Sequence, residues 1–287
     1  MGGWKDAGTD AGRNRFREEF SMASFSVVSN VSAVNAQANL STSNIGLQKA
    51  LERLSSGYRI NRSGDDAAGL VVANQYRSQV AVLTQGVRNA GDGLSTLQIE
   101  DGALNNIAQL LDRMSALATQ SASASSTVDR DVLQAEFADV ISEIDREASV
   151  AGLTGIQAFS VFVSNNGADG VISGSIGAAD ATDLGVNALS VATAAGAATA
   201  VSSIATAIST LGDAQATVGT LQNRLQFAMN LAQAQIVNTK AAESRIRDAN
   251  IAEESANLTR YSILTQSGIA ALAQANQSTG AVLALLR

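Results

Sequence analysis

The chain has 287 residues, 46% of them hydrophobic but only 4% aromatic, a net charge of −7, and no proline, cysteine or histidine. Without cysteine it forms neither disulfides nor thiolate metal sites, and without histidine it lacks the usual general base, so neither an enzyme nor a cofactor is expected. The negative charge disfavours nucleic acid as a partner. The absence of proline removes the commonest helix breaker, so long helices are possible along most of the chain.

Residues 1–21 differ in composition from the rest, because they hold the only tryptophan and a cluster of charges. They are predicted to be a disordered leader rather than a basic arm. From about Val27 to Leu54 apolar residues recur at helical spacing, and Ser55 to Gly57 interrupt that pattern. A first helix is therefore predicted to end near this glycine.

A second, much longer helix is predicted from near Asp65 to about Gln120, which corresponds to roughly 80 Å at 1.5 Å per residue. Its apolar residues follow the spacing of a coiled coil, which requires a partner helix. They are Leu83, Val87, Ala90, Leu94, Leu97, Leu104, Leu111 and Ala118. A third helix is predicted on the apolar face formed by Leu133, Phe137, Val140, Ile144 and Ala148.

The periodicity changes in the middle of the chain. Residues 159–163 and 171–176 have the composition of strands and flank the turn-like residues 165–170, so they predict a β-hairpin. Residues 177–200 have a weak pattern and are predicted to be a loop or a short excursion.

Helical spacing returns near residue 201, in a long seam that can partner the second helix. The seam comprises Ile204, Ile208, Leu211, Val218, Leu221, Leu225, Met229 and Ile236. After a charged segment at residues 243–254, a last apolar helix is predicted. Residues 261–286 carry no charge, but glutamine and asparagine interrupt them, so they are expected to bury against protein and not to cross a membrane.

The predicted fold is mainly α: an elongated antiparallel helical bundle or coiled coil formed by the N- and C-terminal segments, with a small β-hairpin region in the middle. The terminal helices have apolar residues on more than one face. They are therefore expected to be disordered alone and to fold on association with other copies.

Two sequence signatures resemble those of bacterial flagellins. The N-terminal one is LERLSSGYRIN at residues 51–61, followed by DDAAG at residues 65–69. The C-terminal one is AESRIRDAN at residues 242–250, together with LAQANQ at residues 272–277 and the final VLALLR. Two signatures in the right order, at the right ends of the chain, make the resemblance a specific one.

The resemblance implies a non-enzymatic subunit that polymerises with itself into the bacterial flagellar filament. In flagellins the terminal helices pair as the inner tube, the long helices form the next shell and the central segment faces outward. The resemblance further implies a secreted, extracellular protein that is exported by the flagellar machinery. Its implied partners are a flagellin chaperone and the cap and hook-junction proteins.

On this basis the chain is expected to divide into six parts. These are residues 1–21 (leader), 22–63 (N-terminal inner-core helix and linker), 64–155 (long helix and return helix of the rod), 156–200 (β-hairpin and short outer segment), 201–250 (C-terminal rod helix) and 251–287 (C-terminal inner-core helix).

The residues expected to pack subunits together or to form linkers lie in the two terminal segments. They are Val31, Val34, Leu40, Leu47, Leu51, Arg53, Leu54, Arg59, Asn61, Asp65, Asp66, Arg245, Arg247, Asp248, Leu258, Ile263, Leu264, Ile269, Leu272, Val282, Leu283 and Leu286. Two alternatives remain open. The aspartates at 65 and 66 either help to set a joint between subunits or do no more than cap the long helix. The charges at 245–248 either form intersubunit ion pairs or belong to a solvated linker.

The resemblance also implies a candidate epitope for an innate-immune receptor at Arg113, Leu117 and Gln120. Ser115 and Ala116 stand where flagellins typically carry arginine and glutamate. Because both charges are lost, the purified monomer is expected to signal weakly in a receptor reporter assay. Full potency in that assay would contradict the expectation.

Two other functions remain open at this point. A hook–filament junction protein would share the helical ends. A chemoreceptor-like signalling hairpin, from a different class, would need membrane anchorage or fusion to a sensor. A zinc-protease insert of the His-Glu-x-x-His type is impossible without histidine.

Overall fold

A computed structural model of the chain describes residues 30–123 and 129–285, with side chains up to residue 277. The helices are α1 (Val31–Ser56), α2 (Ala67–Ala122), α3 (Arg130–Ala151), α4 (Ala194–Arg247) and α5 (Ile251–Leu285). The strands are β1 (Gln157–Phe162) and β2 (Val171–Ile176). The mainly helical fold with a central β-hairpin is therefore confirmed, and the predicted leader lies outside the described residues.

Local chemistry sets the helix boundaries. The Asp66 carboxylate accepts a hydrogen bond from the Gly69 amide at 2.8 Å and so caps the first turn of α2. Gly57 ends α1 in the left-handed conformation, at φ 74°, where glycine carries no steric penalty. The predicted interruption of the first helix thus coincides with a glycine cap.

The chain divides into two compact units. The first, here called the terminal unit, comprises Met1–Asn61 and Ala249–Arg287 and so contains α1 and α5. The second, here called the central unit, comprises Arg62–Asp248 and contains α2, α3, the hairpin and α4.

In the central unit, α2 and α4 pair in antiparallel fashion. The Gln222 side chain donates to the Leu97 carbonyl at 3.3 Å, and Gln215 donates to Asn105 at 3.3 Å. The predicted seams meet in this core, with most of their leucines fully buried. The prediction is wrong at Ile208, which is 40% exposed, because the neighbouring Ala207 and Leu211 occupy the inward positions instead.

Residues 177–193 were predicted to be a loop or short excursion, but they pack into the core of the central unit. Alanines and valines from this segment are buried in the core of the central unit, among them Ala179, Ala181, Val186 and Val191. The backbone of Val191 is held from both sides, since its amide donates to Gln134 at 2.6 Å and its carbonyl accepts from Ser121 at 2.5 Å. The helix that follows begins at Ala194, earlier than the sequence predicts.

The hairpin lies against α2 at two glycines. Its strands pair antiparallel from Gln157 opposite Ile176 to Phe162 opposite Val171. A Cβ atom on Gly86 would lie 1.7 Å from the Val163 carbonyl oxygen, and one on Gly93 would lie 2.7 Å from a methyl group of Val161. The close contact between hairpin and helix therefore requires residues without a side chain at both positions.

Among the described helices, α4 is the one long and apolar enough to cross a membrane by length and composition alone. Its inward residues Ile204, Val218 and Leu225 are fully buried in the core of the central unit. The positions of α4 that face the core account for part of its hydropathy.

Candidate assembly site

The terminal unit is built on a coiled-coil seam between α1 and α5. Buried and half-buried positions recur at alternating three- and four-residue intervals on both helices. On α1 they are Ala33, Ala36, Leu40, Ser43, Leu47, Ala50 and Leu54. On α5 they are Glu254, Leu258, Tyr261, Thr265, Gly268, Leu272 and Ala275.

Polar contacts at both ends fix the antiparallel register of this pair. At one end, the Asn30 side chain donates to the Ala275 carbonyl at 2.8 Å. At the other end, the Ala249 amide donates to the Gly57 carbonyl at 2.9 Å. A shift of one helix along the other would break both contacts.

Glycines bring the two helices close together between these ends. A Cβ atom on Gly46 would lie 2.5 Å from the ring of Tyr261, and one on Gly268 would lie 3.2 Å from a methyl group of Leu40. The aromatic ring therefore lies directly against the α1 backbone.

An ion pair is built into the seam near its charged end. Arg53 Nη1 lies 3.1 Å from Glu254 Oε1, and only 9% of the glutamate side chain is exposed, against 30% of the arginine side chain. Arg53 was among the predicted residues, whereas Glu254 was not. The sequence did offer a signal for this pair: Arg53 lies near the end of α1 and Glu254 near the start of α5, which are adjacent in an antiparallel helix pair.

The predicted packing residues separate into two groups. Leu40, Leu47, Leu54, Leu258 and Leu272 are at least half-buried in the seam. The predicted residues Val31, Val34, Leu51, Ile263, Leu264 and Ile269 are instead between 45% and 62% exposed, and so are Ile45 and Ile251, which were not among the predicted residues. These eight residues are here called the terminal apolar face. The predicted Leu286 and the side chains of Val282 and Leu283 lie outside the described residues.

The predicted linker residues make contacts within their own units. Asn61 donates to Glu52 at 2.9 Å, while Asp65 accepts from the Arg62 amide at 3.1 Å. Asp66 caps α2, as the simpler of the two interpretations expects. Arg59 is exposed. A role for these residues in a joint between subunits stays a prediction.

The second charged segment is likewise held by local contacts. Arg247 lies 4.0 Å from Glu243 one helical turn earlier, and the Asp248 carboxylate accepts a hydrogen bond from the Ser244 hydroxyl. Arg245 is exposed. Ion pairs from this segment to other subunits stay a prediction.

The three candidate epitope residues differ in accessibility. Arg113 is exposed and pairs with Glu136 of α3, and Gln120 is also exposed. Leu117, in contrast, is 1% exposed and belongs to the core of the central unit. A receptor that binds this face of α2 can therefore reach the arginine and the glutamine but not the leucine.

Comparison with known proteins identifies the family. Residues 27–161 match the bacterial flagellin N-terminal helical region, and residues 201–286 match the bacterial flagellin C-terminal helical region. The chain belongs to the bacterial flagellin family. The matched regions contain α1, α2, α3 and α5 completely and α4 from residue 201 onward.

Relatives of this flagellin match along most of their length. It is 37% identical to flagellin FlaB1 of Treponema pallidum over 281 residues, covering 90% of this chain and 98% of the relative. It is 36% identical to the flagellar filament 33 kDa core protein of Treponema phagedenis, with the same coverage. The crystal structure of Bacillus cereus flagellin is 29% identical and covers 54% of this chain and 94% of that chain, with a TM-score of 0.44.

This flagellin is therefore a protein of the flagellar filament and not an enzyme. The hook–filament junction and chemoreceptor alternatives are set aside. Within residues 30–123 and 129–285, no group of three or more acidic side chains is placed to hold a metal ion.

Proposed function

We propose that this flagellin polymerises through the terminal apolar face, while the seam positions of α1 and α5 are already used in the contact between these two helices. The observation that carries the proposal is the exposure of eight large apolar side chains on one helix pair. Such an accumulation on a small unit is typical of a surface that another protein covers.

The energetic scale of this contact requires many residues to act together. Full burial of one valine, leucine or isoleucine contributes about 1.5–3 kcal/mol, and these side chains are already about half-buried, so each gains roughly half of that amount. Association costs about 4–15 kcal/mol in lost translational and rotational freedom. Covering the whole terminal apolar face is comparable with that cost, whereas covering one or two of its residues is not.

Identical subunits that contact each other through two different surfaces form an open helical array when the rotation does not close. A filament of this kind transmits torque along its length. We expect the α1–α5 pair to gain order in the array, because sister copies then cover the face that a single chain leaves in water.

Export and location form a second part of the proposal. An unfolded chain without cysteine or proline refolds without disulfide formation or slow prolyl isomerisation, which suits transport through the flagellar secretion channel. A flagellin chaperone would shield the terminal apolar face before assembly, and the cap and hook-junction proteins would contact the two ends of the filament. Antibody labelling of intact and permeabilised cells tests the extracellular location, which labelling only after permeabilisation would contradict.

Electron microscopy of the purified protein after an assembly trial tests polymerisation. The full chain is expected to form filaments, and a chain that lacks residues 261–287 is expected to stay a soluble monomer. A full chain that remains a compact, fully ordered monomer under all conditions tried would contradict the proposal.

A single charge on the terminal apolar face is expected to weaken assembly strongly. In Ile263→Glu, a side chain that is 57% exposed in the free chain must carry a charge into the subunit contact. The loss of about 1.5–3 kcal/mol per contact raises the critical concentration roughly tenfold or more. Sedimentation of filaments at a series of protein concentrations measures this value.

Gln109→Glu provides the control, since it introduces the same residue at an exposed polar position of α2, in the central unit and outside the terminal apolar face. Its critical concentration is expected to change much less. Equal effects of the two substitutions would indicate that general charge repulsion, and not burial of the isoleucine, controls assembly.

A further inference from the structure

Glu100 lies on the inward side of α2 in the central unit, with one carboxylate oxygen buried and unpaired among the described residues. It is 5% exposed and belongs to the inward side of α2, where Leu97 and Leu104 on either side of it are fully buried. Its Oε2 atom is buried and has no hydrogen-bond partner among the described residues. A carboxylate with a buried, unpaired oxygen is unfavourable when charged, because no hydrogen-bond donor replaces the water that this oxygen loses.

No charge on α4 or on the hairpin compensates Glu100. The contact of Gln222 with Leu97 and that of Gln215 with Asn105 place residues 215–222 of α4 at this level, and that stretch carries no charge. Strands β1 and β2 contain no titratable residue. The charges of α4 on either side of the stretch are Asp213 and Arg224. The arginine donates to the Ser173 carbonyl at 3.1 Å.

The charges of α3 near this level have other partners. The Arg113–Glu136 pair fixes the antiparallel register of α2 and α3, which brings the C-terminal turns of α3 to the level of Glu100. Arg146 there donates to Glu143 and Glu147, and Asp145 accepts from the Ala181 amide at 2.8 Å.

The remaining charges in the vicinity are acidic or distant. In the segment 177–193, the Asp183 amide donates to Asp180 at 3.4 Å. On α2 itself the neighbour is Asp101, and the nearest cations, Arg88 and Arg113, lie roughly 18–20 Å away along the helix. Burial consequently raises the pKa of the Glu100 carboxyl above its ordinary value of 4.5.

We propose that Glu100 is a pH-sensitive element in the core of the central unit, whose neutral acid form allows α2 and α4 to pack tightly and whose ionised form loosens them. In the unfolded chain the carboxyl ionises at its ordinary pKa, but in the folded unit it ionises at a higher pH. The stabilising contribution is therefore complete below the unfolded pKa. It is lost as the pH rises from the unfolded to the folded pKa.

The loosening is expected to be local first. Ionisation favours entry of water next to Glu100, and so favours separation of α2 from α4 around residues 97–104. The same residue thus makes the middle of a long, otherwise apolar helix pair the place where opening begins as the pH rises.

The test uses the full-length, unassembled chain and three variants between pH 4 and pH 8. Glu100→Gln keeps the size and removes the charge, Glu100→Met also removes the polar group, and Asp112→Asn removes one charge from an exposed position of the same helix. Urea unfolding and hydrogen–deuterium exchange of peptides that cover residues 97–104 are compared with the wild type at each pH, so that the intrinsic pH dependence of exchange cancels.

At pH 4 the urea midpoint and the exchange protection of Glu100→Gln are expected to equal those of the wild type. As the pH rises, both values are expected to exceed the wild-type values by a growing margin. Glu100→Met is expected to exceed the wild type by a margin that also grows with pH. Asp112→Asn is expected to follow the wild-type profile. The proposal is overturned if the Glu100→Gln profile runs parallel to that of the wild type, or if this variant is the less stable protein at neutral pH.

Discussion

Gly86→Ala is expected to destabilise the central unit by about 1–3 kcal/mol, which is the usual cost of forcing an extra methyl group into a packed site. The added Cβ would lie 1.7 Å from the carbonyl oxygen and 2.5 Å from the carbonyl carbon of Val163. Both atoms belong to the backbone, so no side-chain rotation relieves the overlap and the hairpin must move away from α2. The urea midpoint of the unassembled chain measures the loss.

Gly91→Ala is the matched control for this prediction. It lies on the same helix, and a Cβ at this position meets nothing within 4 Å. Alanine is favoured over glycine inside a helix by roughly 0.5–1 kcal/mol, so this variant is expected to be more stable than the wild type. If Gly86→Ala and Gly91→Ala were stabilised by the same amount, the result would contradict the close contact between Gly86 and the Val163 backbone.

Arg53→Ala is expected to weaken the α1–α5 pair by about 3 kcal/mol. Removal of one partner from a buried ion pair typically costs about 3–5 kcal/mol, because the other charge stays buried alone. Glu254 is 7% exposed as a residue, but the arginine side chain is 30% exposed, which places the expected loss at the lower end of that range. Hydrogen–deuterium exchange of peptides from α1 and α5 in assembled filaments, where the pair is expected to be ordered, measures it.

Two further variants separate the ion pair from a general loss of positive charge. Arg260→Ala removes an exposed cation from α5 and is expected to change exchange little. The double variant Arg53→Ala with Glu254→Gln removes both charges and is expected to recover part of the loss. A double variant less stable than Arg53→Ala would show that the glutamate has another stabilising contact.

The helices and the hairpin were predictable because their signals are periodic. Leu97, Leu104 and Leu111 repeat at heptad spacing and are all fully buried, and the strands flank a turn-like sequence. The segment 177–193 was not predictable as core, since small residues such as Ala179 give a weak pattern wherever they lie. Its burial depends on neighbours that the local sequence does not specify.

The assembly site was predictable only in part. Periodicity identified Leu40 and Val34 as apolar helix positions, but it could not tell which one packs within the chain and which one stays exposed. That difference depends on the register between α1 and α5. The same applies to Glu254 and Gly86, whose importance comes from the distant residues Arg53 and Val163 that lie against them.

The terminal unit is assembled from two widely separated stretches of the chain, with contacts such as that of Asn30 with Ala275 spanning 245 positions. The central unit, in contrast, is one continuous stretch of chain. Closing so large a loop costs entropy and slows folding, and the closure cannot begin until α5 has emerged. A chain that folds as it emerges therefore completes the proposed polymerisation surface last, after the central unit has had time to fold.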